Sequence, residues 1–206
     1  MASVKGPLMS MDASGSVADT ITFSKWKGRN YVRQLVIPAN PQSGLQMGVR
    51  ATFKFVTQIW ATLSETIQGH WEDLARTQSI TPLNAMVQYD QTRGRQDFGM
   101  KQDPTVAEGA VEAAPVGGAA TAQPKSLKIT WADSVGADDW CTEIYRSTTA
   151  GFTPGPATLV AVIPHGDQVW TDVGLITGTN YHYRIRGNEK GGTAGTLAAE
   201  FNGTPT

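Results

Sequence analysis

The sequence predicts a multidomain chain, α+β at the front and all-β at the back: an N-terminal β-hairpin plus helices, an Ala/Pro/Gly linker, and a C-terminal β-sandwich. Three observations predict it. Apolar residues recur at steps of three and four between Leu45 and Val87, and after Ser126 the apolar period becomes two. Between these regions "DPTVAEGAVEAAPVGGAATAQP", Asp103 to Pro124, carries almost no bulky side chain. It reads as a tether, partly extended by its prolines and mobile at Gly117 and Gly118. The expected domains are therefore 1–102, a hairpin-and-helix anchor, 103–121, a flexible linker, and 122–206, a sandwich. Charge follows the same division: Lys and Arg number 11 against 7 Asp and Glu in residues 1–102, and 6 against 11 in residues 103–206.

The first elements come from "SVADTITFSKWKGRNYVRQLVIP", two β-favouring runs around Lys27, Gly28, Arg29 and Asn30. Ile21 and Phe23 share one face of the first run, and Tyr31, Arg33, Leu35 and Ile37 alternate with Val32, Gln34 and Val36 on the second. Gly28 and Asn30 tolerate the positive φ of a tight turn, and Pro38, with no N–H, ends the pairing. A two-stranded ribbon is marginal in water, so the hairpin is expected to pack on the helices that follow.

The first of these helices shows one stripe, Leu45, Val49, Phe53, Val56, Trp60 and Leu63. The second is capped by Ser64, starts with Glu65, and buries Ile67, Trp71 and Leu74. Thr81 and Pro82 open a third, with Leu83, Met86 and Val87 inward and Gly94 at its end. Trp60 and Trp71 are assigned structural roles.

Past the linker, "SLKITWAD", "CTEIYRST", "TLVAVIP", "QVWTD" and "NYHYRIRG" are short strands separated by turn clusters, the pattern of two packed antiparallel sheets. Trp131, followed by Leu175, Gly178, Thr179, Tyr181, Tyr183, Arg184 and Asn188, resembles the signature of a fibronectin type III domain over residues 122–206. Thr177 stands where that family commonly has Pro. Trp131 is assigned a structural role, and the resemblance implies a Tyr181 whose ring is buried and whose hydroxyl bonds backbone near its turn. It also implies a spacer or binding module, and names no ligand.

Few residues suggest chemistry. One cysteine, Cys141, excludes an internal disulfide framework, and His70, His165 and His182 are too scattered for a zinc set. His70, Glu72 and Asp73 cluster in "GHWEDLA", but a helix turns the two carboxylates away from the apolar stripe and into solvent. Asp138 and Asp139 lack the spacing of a calcium loop, and no glycine-rich stretch matches a phosphate-binding loop. No catalytic residue, cofactor site or metal ligand is assigned, and an enzyme is not expected. No stretch approaches the roughly 20 apolar residues that span a bilayer, and the N-terminal run lacks the apolar core of a signal peptide, so a soluble chain made in a cytoplasm is expected.

The remaining candidate is "SKWKGRNYVR", where Lys25, Lys27, Arg29 and Arg33 surround Trp26 and Tyr31. Such a mixture suits single-stranded nucleic acid. The third helix, however, has no cation before Arg93 to support a helix-turn-helix, which argues against nucleic acid and for an acidic protein surface. Residues 15–95, with Trp26 to Arg29, Tyr31-Val32-Arg33, Pro38-Ala39-Asn40-Pro41, Gln46, Arg50, Trp60 and Trp71, resemble a segment of tailed-bacteriophage virion structural proteins. That resemblance implies a capsid decoration or cement protein on the capsid exterior, assembled in a host cytoplasm. The implied partner is the major capsid protein or another virion subunit, in many copies on a symmetric lattice and without a membrane. A head-to-tail connector or tail accessory is the alternative within that class. A host-surface carbohydrate adhesion module, with Trp140, Tyr145 and Trp170 as a stacking platform, is the alternative outside it.

Overall fold

The computed structural model describes residues 2–3, 15–17, 20–36, 42–133 and 139–206. The expected strand end at Ile37 and Pro38, the run Ala39-Asn40-Pro41 and Asp138 lie outside the described residues. The chain forms two compact units, 1–41 and 42–206.

The first unit is an antiparallel sheet of β1 (Ala2–Ser3), β2 (Gly15–Val17), β3 (Ile21–Trp26) and β4 (Arg29–Gln34), in the order β1-β4-β3-β2. Its turn is Lys27-Gly28 alone, with φ of 48° and 78°, the two-residue geometry whose twist matches the flanking strands. The sequence pointed to Gly28 and Asn30 as the positive-φ pair; instead Lys27 takes that conformation, and Arg29 and Asn30 belong to β4. The short strands β1 and β2 supply the extra pairing that an isolated hairpin lacks.

The second unit holds helices α1 (Gly44–Trp60), α2 (Glu65–Gln78) and α3 (Pro82–Arg95), followed by strands β5 to β12. One sheet has three strands, β5 (Val116–Gln123), β6 (Ser126–Ala132) and β9 (Val169–Val173), in the order β5-β6-β9. The other runs β11-β10-β7-β8, from β7 (Asp139–Ser147), β8 (Leu159–Pro164), β10 (Tyr181–Glu189) and β11 (Ala194–Leu197), with β12 (Phe201–Gly203) also on β10. The larger sheet is buried on both faces. Leu127, Ile129, Trp131, Ile144, Leu175, Tyr183 and Ile185 fill the space between the sheets. On the opposite face Trp140, Cys141, Tyr145, Leu159 and Val162 pack with Phe55, Val56, Trp71 and Met86 of the helices. The result is three layers, helices, sheet and sheet.

This changes the domain division. The expected boundaries at 102/103 and 121/122 cut through one core, because the helices bury their apolar face on the sandwich and belong to its unit, apart from the hairpin. Nor is 103–121 a free tether. Asp103 is buried, Gly109 N–H donates to Glu189 at 3.2 Å, Thr193 donates to the Gly109 carbonyl at 3.0 Å, and Thr196 N–H donates to the Glu112 carbonyl at 3.0 Å. From Val116 onward the segment is β5. Small side chains allow this close approach: a Cβ on Gly109 would stand 2.9 Å from the Glu189 carboxyl carbon, and one on Gly118 would stand 2.5 Å from the Phe201 ring.

The inward stripe of α1 is partly the expected one: Val56 and Leu63 are buried and Val49 and Trp60 half-buried, but Leu45 and Phe53 are exposed, and Gly48, Ala51, Thr52 and Phe55 are buried in addition, which rotates the stripe. Gly44 and Gly48 explain the rotation, since they bring the helix backbone against the carbonyls of Ala157 and Pro156, an approach that larger residues forbid. Ser64 caps α2, its hydroxyl accepting from Ile67 N–H at 3.4 Å, and Thr81 caps α3 in the same manner at 3.3 Å. Gly94 does not end α3 but sits in its last turn, with Gln96 as the C-cap.

Beneath the helices the larger sheet carries charge. Arg186, on β10, donates to Glu143, on β7, at 2.7 Å, and also reaches Asp97 at 3.0 Å and the Tyr145 hydroxyl at 2.7 Å. Replacing Glu143 with Ala should cost about 3–5 kcal/mol in urea unfolding, because it strands a buried guanidinium, whereas the double change Glu143→Leu with Arg186→Met should cost far less. Gly48→Val should lower stability by about 1–3 kcal/mol, since its Cβ would meet the Pro156 carbonyl oxygen at 2.7 Å. Gly94→Ala, whose Cβ meets nothing closer than Thr52 Oγ1 at 3.8 Å, should not destabilise.

Candidate functional site

The register of the hairpin decides which of its candidate residues act together. Trp26 pairs with Arg29, Ser24 with Tyr31, and Thr22 with Arg33. Cross-strand partners and every second residue along a strand share a face, so Trp26, Arg29, Tyr31 and Arg33 project from one side. Lys25, opposite Asn30, lies on the other side with Phe23 and Val32. Lys27 sits in the turn and places its Nζ 4.9 Å from the centre of the Trp26 ring. Trp26 is 66% exposed, Arg29 and Arg33 are exposed, and Tyr31 is half-buried. Within residues 20–36 there are four cations and no carboxylate. No hydrophobic residue among the described ones of this unit is fully buried. The face is therefore a small platform of rings and guanidinium groups, suited to a carboxylate-bearing partner.

The residues assigned structural roles lie in the second unit. Trp71 is fully buried, donates from its indole to the Gln102 carbonyl at 2.9 Å, and meets Tyr89 edge-on at 5.6 Å. Trp60 is half-buried against the same core. Trp131 donates to Asp133 at 3.0 Å. The Tyr181 hydroxyl accepts from Ile176 N–H at 3.1 Å, and Tyr183 donates to Asp172, which also holds Arg146.

The sequence grouped His70 with Glu72 and Asp73, but the structure separates them. Glu72 and Asp73 pair with Arg76 along the outer face of α2. His70 Nδ1 instead meets Asp103 at 2.8 Å, and Thr105 donates its hydroxyl and its N–H to the same carboxylate. Burial works to raise the Asp103 pKa, but the Thr105 hydrogen bonds and His70 outweigh it and hold it below the ordinary carboxylate value. The signal in the sequence was "DPT", a side-chain turn motif at the head of the supposed linker. Among the described residues no group of three or more His, Cys, Asp or Glu could hold a metal, and no helix is long and apolar enough to cross a membrane.

The proposed carbohydrate platform is not assembled. Trp140 and Tyr145 are buried under the helices, with 4% and 2% of their surface exposed, and only Trp170 is half-open. The cause is the helical layer, which occupies the sheet face these rings would have offered.

Sequence reasoning did not find Asp90. It lies fully buried on α3, one turn past Met86 on the inward stripe, and accepts from Lys101 N–H at 2.9 Å, while its other oxygen has no partner among the described residues. Burial pushes its pKa up from 3.8 to about 8, against the Lys101 hydrogen bond and the Arg93 and Lys101 charges. Cys141, also buried, has its thiol pushed up by burial and by Glu143, and accepts from Asn188 at 3.7 Å.

No protein-family model matches the chain, and no curated protein matches it. Among solved structures it is similar to a Fn3-like protein from Clostridium thermocellum, at 27% identity over 47% of this chain and 96% of the other, with a TM-score of 0.38. It is also similar to a β-1,2-glucanase from Parabacteroides distasonis, at 21% identity over 50% of this chain but 14% of the glucanase, with a TM-score of 0.42. A third is the pectate lyase PelI from Erwinia chrysanthemi, at 17% identity over 44% of this chain and 28% of the lyase, with a TM-score of 0.38. The second unit holds a β-sandwich whose strand order stands on the pairing described above.

Asp90 supplies a pH test. Its folded pKa lies above the unfolded value, so the stability it contributes is complete below about pH 4 and is lost as pH rises through about 8. Asp90→Asn keeps an acceptor for Lys101 N–H and cannot ionise. The melting temperature of the variant relative to the parent should therefore rise steadily from about pH 5 to about pH 9.

Proposed function

We propose that this protein is a non-catalytic structural component of a tailed-phage virion, a decoration or cement protein that grips an acidic patch of coat protein through Trp26, Arg29, Tyr31 and Arg33. The observation that carries the reading is a tryptophan left 66% exposed beside exposed guanidinium groups on one side of a small sheet. Exposed aromatic and Arg residues are the types that dominate interface energetics, and the absence of any carboxylate from residues 20–36 favours a negatively charged partner. The virion context rests on the resemblance of residues 15–95. In this reading the second unit is a rigid body displayed from the lattice, and repetition over many coat subunits turns a modest contact into a durable one. A connector or tail accessory would use the same face on a different virion subunit.

The test uses the full chain, because a fragment ending near Gln102 would uncover the helical faces that now meet the sandwich. Purified capsids lacking the protein are mixed with parent or with a Trp26→Ala, Arg29→Ala, Arg33→Glu variant and sedimented. The variant should bind at least about thirtyfold more weakly, equivalent to about 2 kcal/mol, with an unchanged melting temperature because these side chains are exposed. Equal sedimentation of variant and parent would remove the face from the interface, and failure of the parent to bind any virion particle would remove the virion assignment.

A further inference from the structure

We propose that the chain cuts itself between Asp103 and Pro104, with the Asp103 carboxylate as nucleophile and His70 as the acid that protonates the departing nitrogen. The site lies wholly within the second unit and is independent of the hairpin face.

The groups such a reaction needs surround this one peptide bond. Asp103-Pro104 is the only Asp-Pro pair in the sequence. A proline nitrogen has no N–H and belongs to a tertiary amide, so it takes up a proton more readily than an ordinary peptide nitrogen and departs as a secondary amine. An aspartate carboxylate can close a five-membered ring on its own carbonyl carbon, an intramolecular attack with little entropy left to lose. Here that carboxylate is fixed. Oδ1 accepts from Thr105 N–H at 2.9 Å and from the Thr105 hydroxyl at 2.7 Å, a turn that folds the side chain back along the bond to Pro104. Oδ2 meets His70 Nδ1 at 2.8 Å. The same Nδ1 lies 3.4 Å from Thr105 Oγ1, so the imidazole touches the residues on both sides of Pro104. The carbonyl oxygen of Asp103 accepts from Val106 N–H at 3.4 Å, a contact that strengthens as that oxygen gains charge.

The fold holds this arrangement in place. Gln102 N–H donates to the Lys190 carbonyl at 3.0 Å, and the Gln102 carbonyl accepts from the Trp71 indole at 2.9 Å, so the chain is anchored immediately before the bond. Asp103 is buried, whereas the His70 side chain is 35% exposed and can draw its proton from water. Burial works to raise the Asp103 pKa, but Thr105 and His70 hold it below the ordinary value, which keeps the nucleophile ionised in mild acid. The atoms balance with water as co-reactant. Oδ2 bonds to the Asp103 carbonyl carbon, the bond from that carbon to the Pro104 nitrogen breaks, and the imidazolium proton moves to the nitrogen. Oδ1 becomes a carbonyl oxygen of the cyclic anhydride and retains both Thr105 donors. Water then opens the anhydride, which restores the Asp103 side chain, gives it a terminal carboxylate, and leaves Pro104 as a new N-terminus. The helices and the sandwich share one core, so the two pieces stay associated and separate only on denaturation.

The experiment incubates the full chain in mildly acidic buffer, folded or held unfolded in guanidinium, and follows it by intact-mass spectrometry. The folded parent should yield fragments 1–103 and 104–206 at least about a hundredfold faster than the unfolded chain, whose Asp-Pro bond sets the intrinsic rate. His70→Gln can still donate to Oδ2 but carries no acidic proton, and should slow cleavage about a hundredfold. Asp103→Asn should abolish the fragments. Pro104→Ala leaves both side chains in place but makes the leaving group an ordinary amide, and should slow cleavage about tenfold or more with an unchanged circular dichroism spectrum. A folded parent that stays intact, or is cut no faster than the unfolded chain, would overturn the proposal. Undiminished cleavage in His70→Gln would remove the acid from it, and undiminished cleavage in Asp103→Asn or Pro104→Ala would assign the fragments to a protease and end it.

Discussion

The pair between Arg186 and Glu143, both nearly inaccessible beneath the helices, is the constraint on which the second unit depends. In a two-layer sandwich the outer face of β7 and β10 would be wet, and charges there would cost nothing to keep. Here α1, α2 and α3 cover that face, so each charge on it must find a partner or be neutralised. Burial works to lower the Arg186 pKa, and Glu143 and Tyr145 together overcome it and keep the guanidinium charged. Helices and sandwich have thereby become one cooperative body, since removing either layer would expose apolar surface on the other and leave this network without its dry setting.

The same closure explains the behaviour of the segment after α3. Arg93 donates to the Gly99 carbonyl at 2.6 Å and the Gly192 carbonyl at 2.7 Å, and pairs with Glu108, so one side chain ties the helix to the descending chain and to the turn between β10 and β11. Lys101 Nζ donates to the Val106 carbonyl at 2.7 Å. With so many anchors the chain from Asp103 to Glu112 has little freedom to lose, and its few side chains are an adaptation to close backbone packing.

How far the sequence revealed this architecture depended on which chemistry carried each element. Periodicity in side-chain size pointed to the three helices and to the short strands of the sandwich. Hydrophobicity misled on α1, where Leu45 and Phe53 outrank Gly48 and Ala51 in transfer energy. The helix buries Gly48 and Ala51 together with Phe55 and Val56, because close backbone approach to Pro156 and Ala157 sets how its first turns face. The segment 103–121 was misread for a related reason: it is held chiefly through backbone groups, which every sequence possesses and no composition reports. The six hairpin residues were visible as a cluster of cations and rings. Their division into one platform of four, with Lys25 behind and Lys27 at the tip, required the strand register.

The two units differ in what they leave unfinished. The second covers its central sheet on both sides and pairs Arg186 with Glu143 inside, leaving exposed apolar side chains at Leu45 and Phe53 of α1, at Phe98, Val111, Val116 and Ile176, and at Val169 and Val173 of β9. The first covers neither side of its sheet with a buried core among the described residues, although Phe23 and Val32 on one face and Trp26 and Tyr31 on the other would each lose water on contact. A sheet of six-residue strands has conformational entropy to offset and little burial of its own with which to do so. On the proposed reading this imbalance is the mechanism of attachment. The free energy that a self-sufficient domain spends internally is here still available to a partner, and the positive charge around Trp26 selects which partner can claim it.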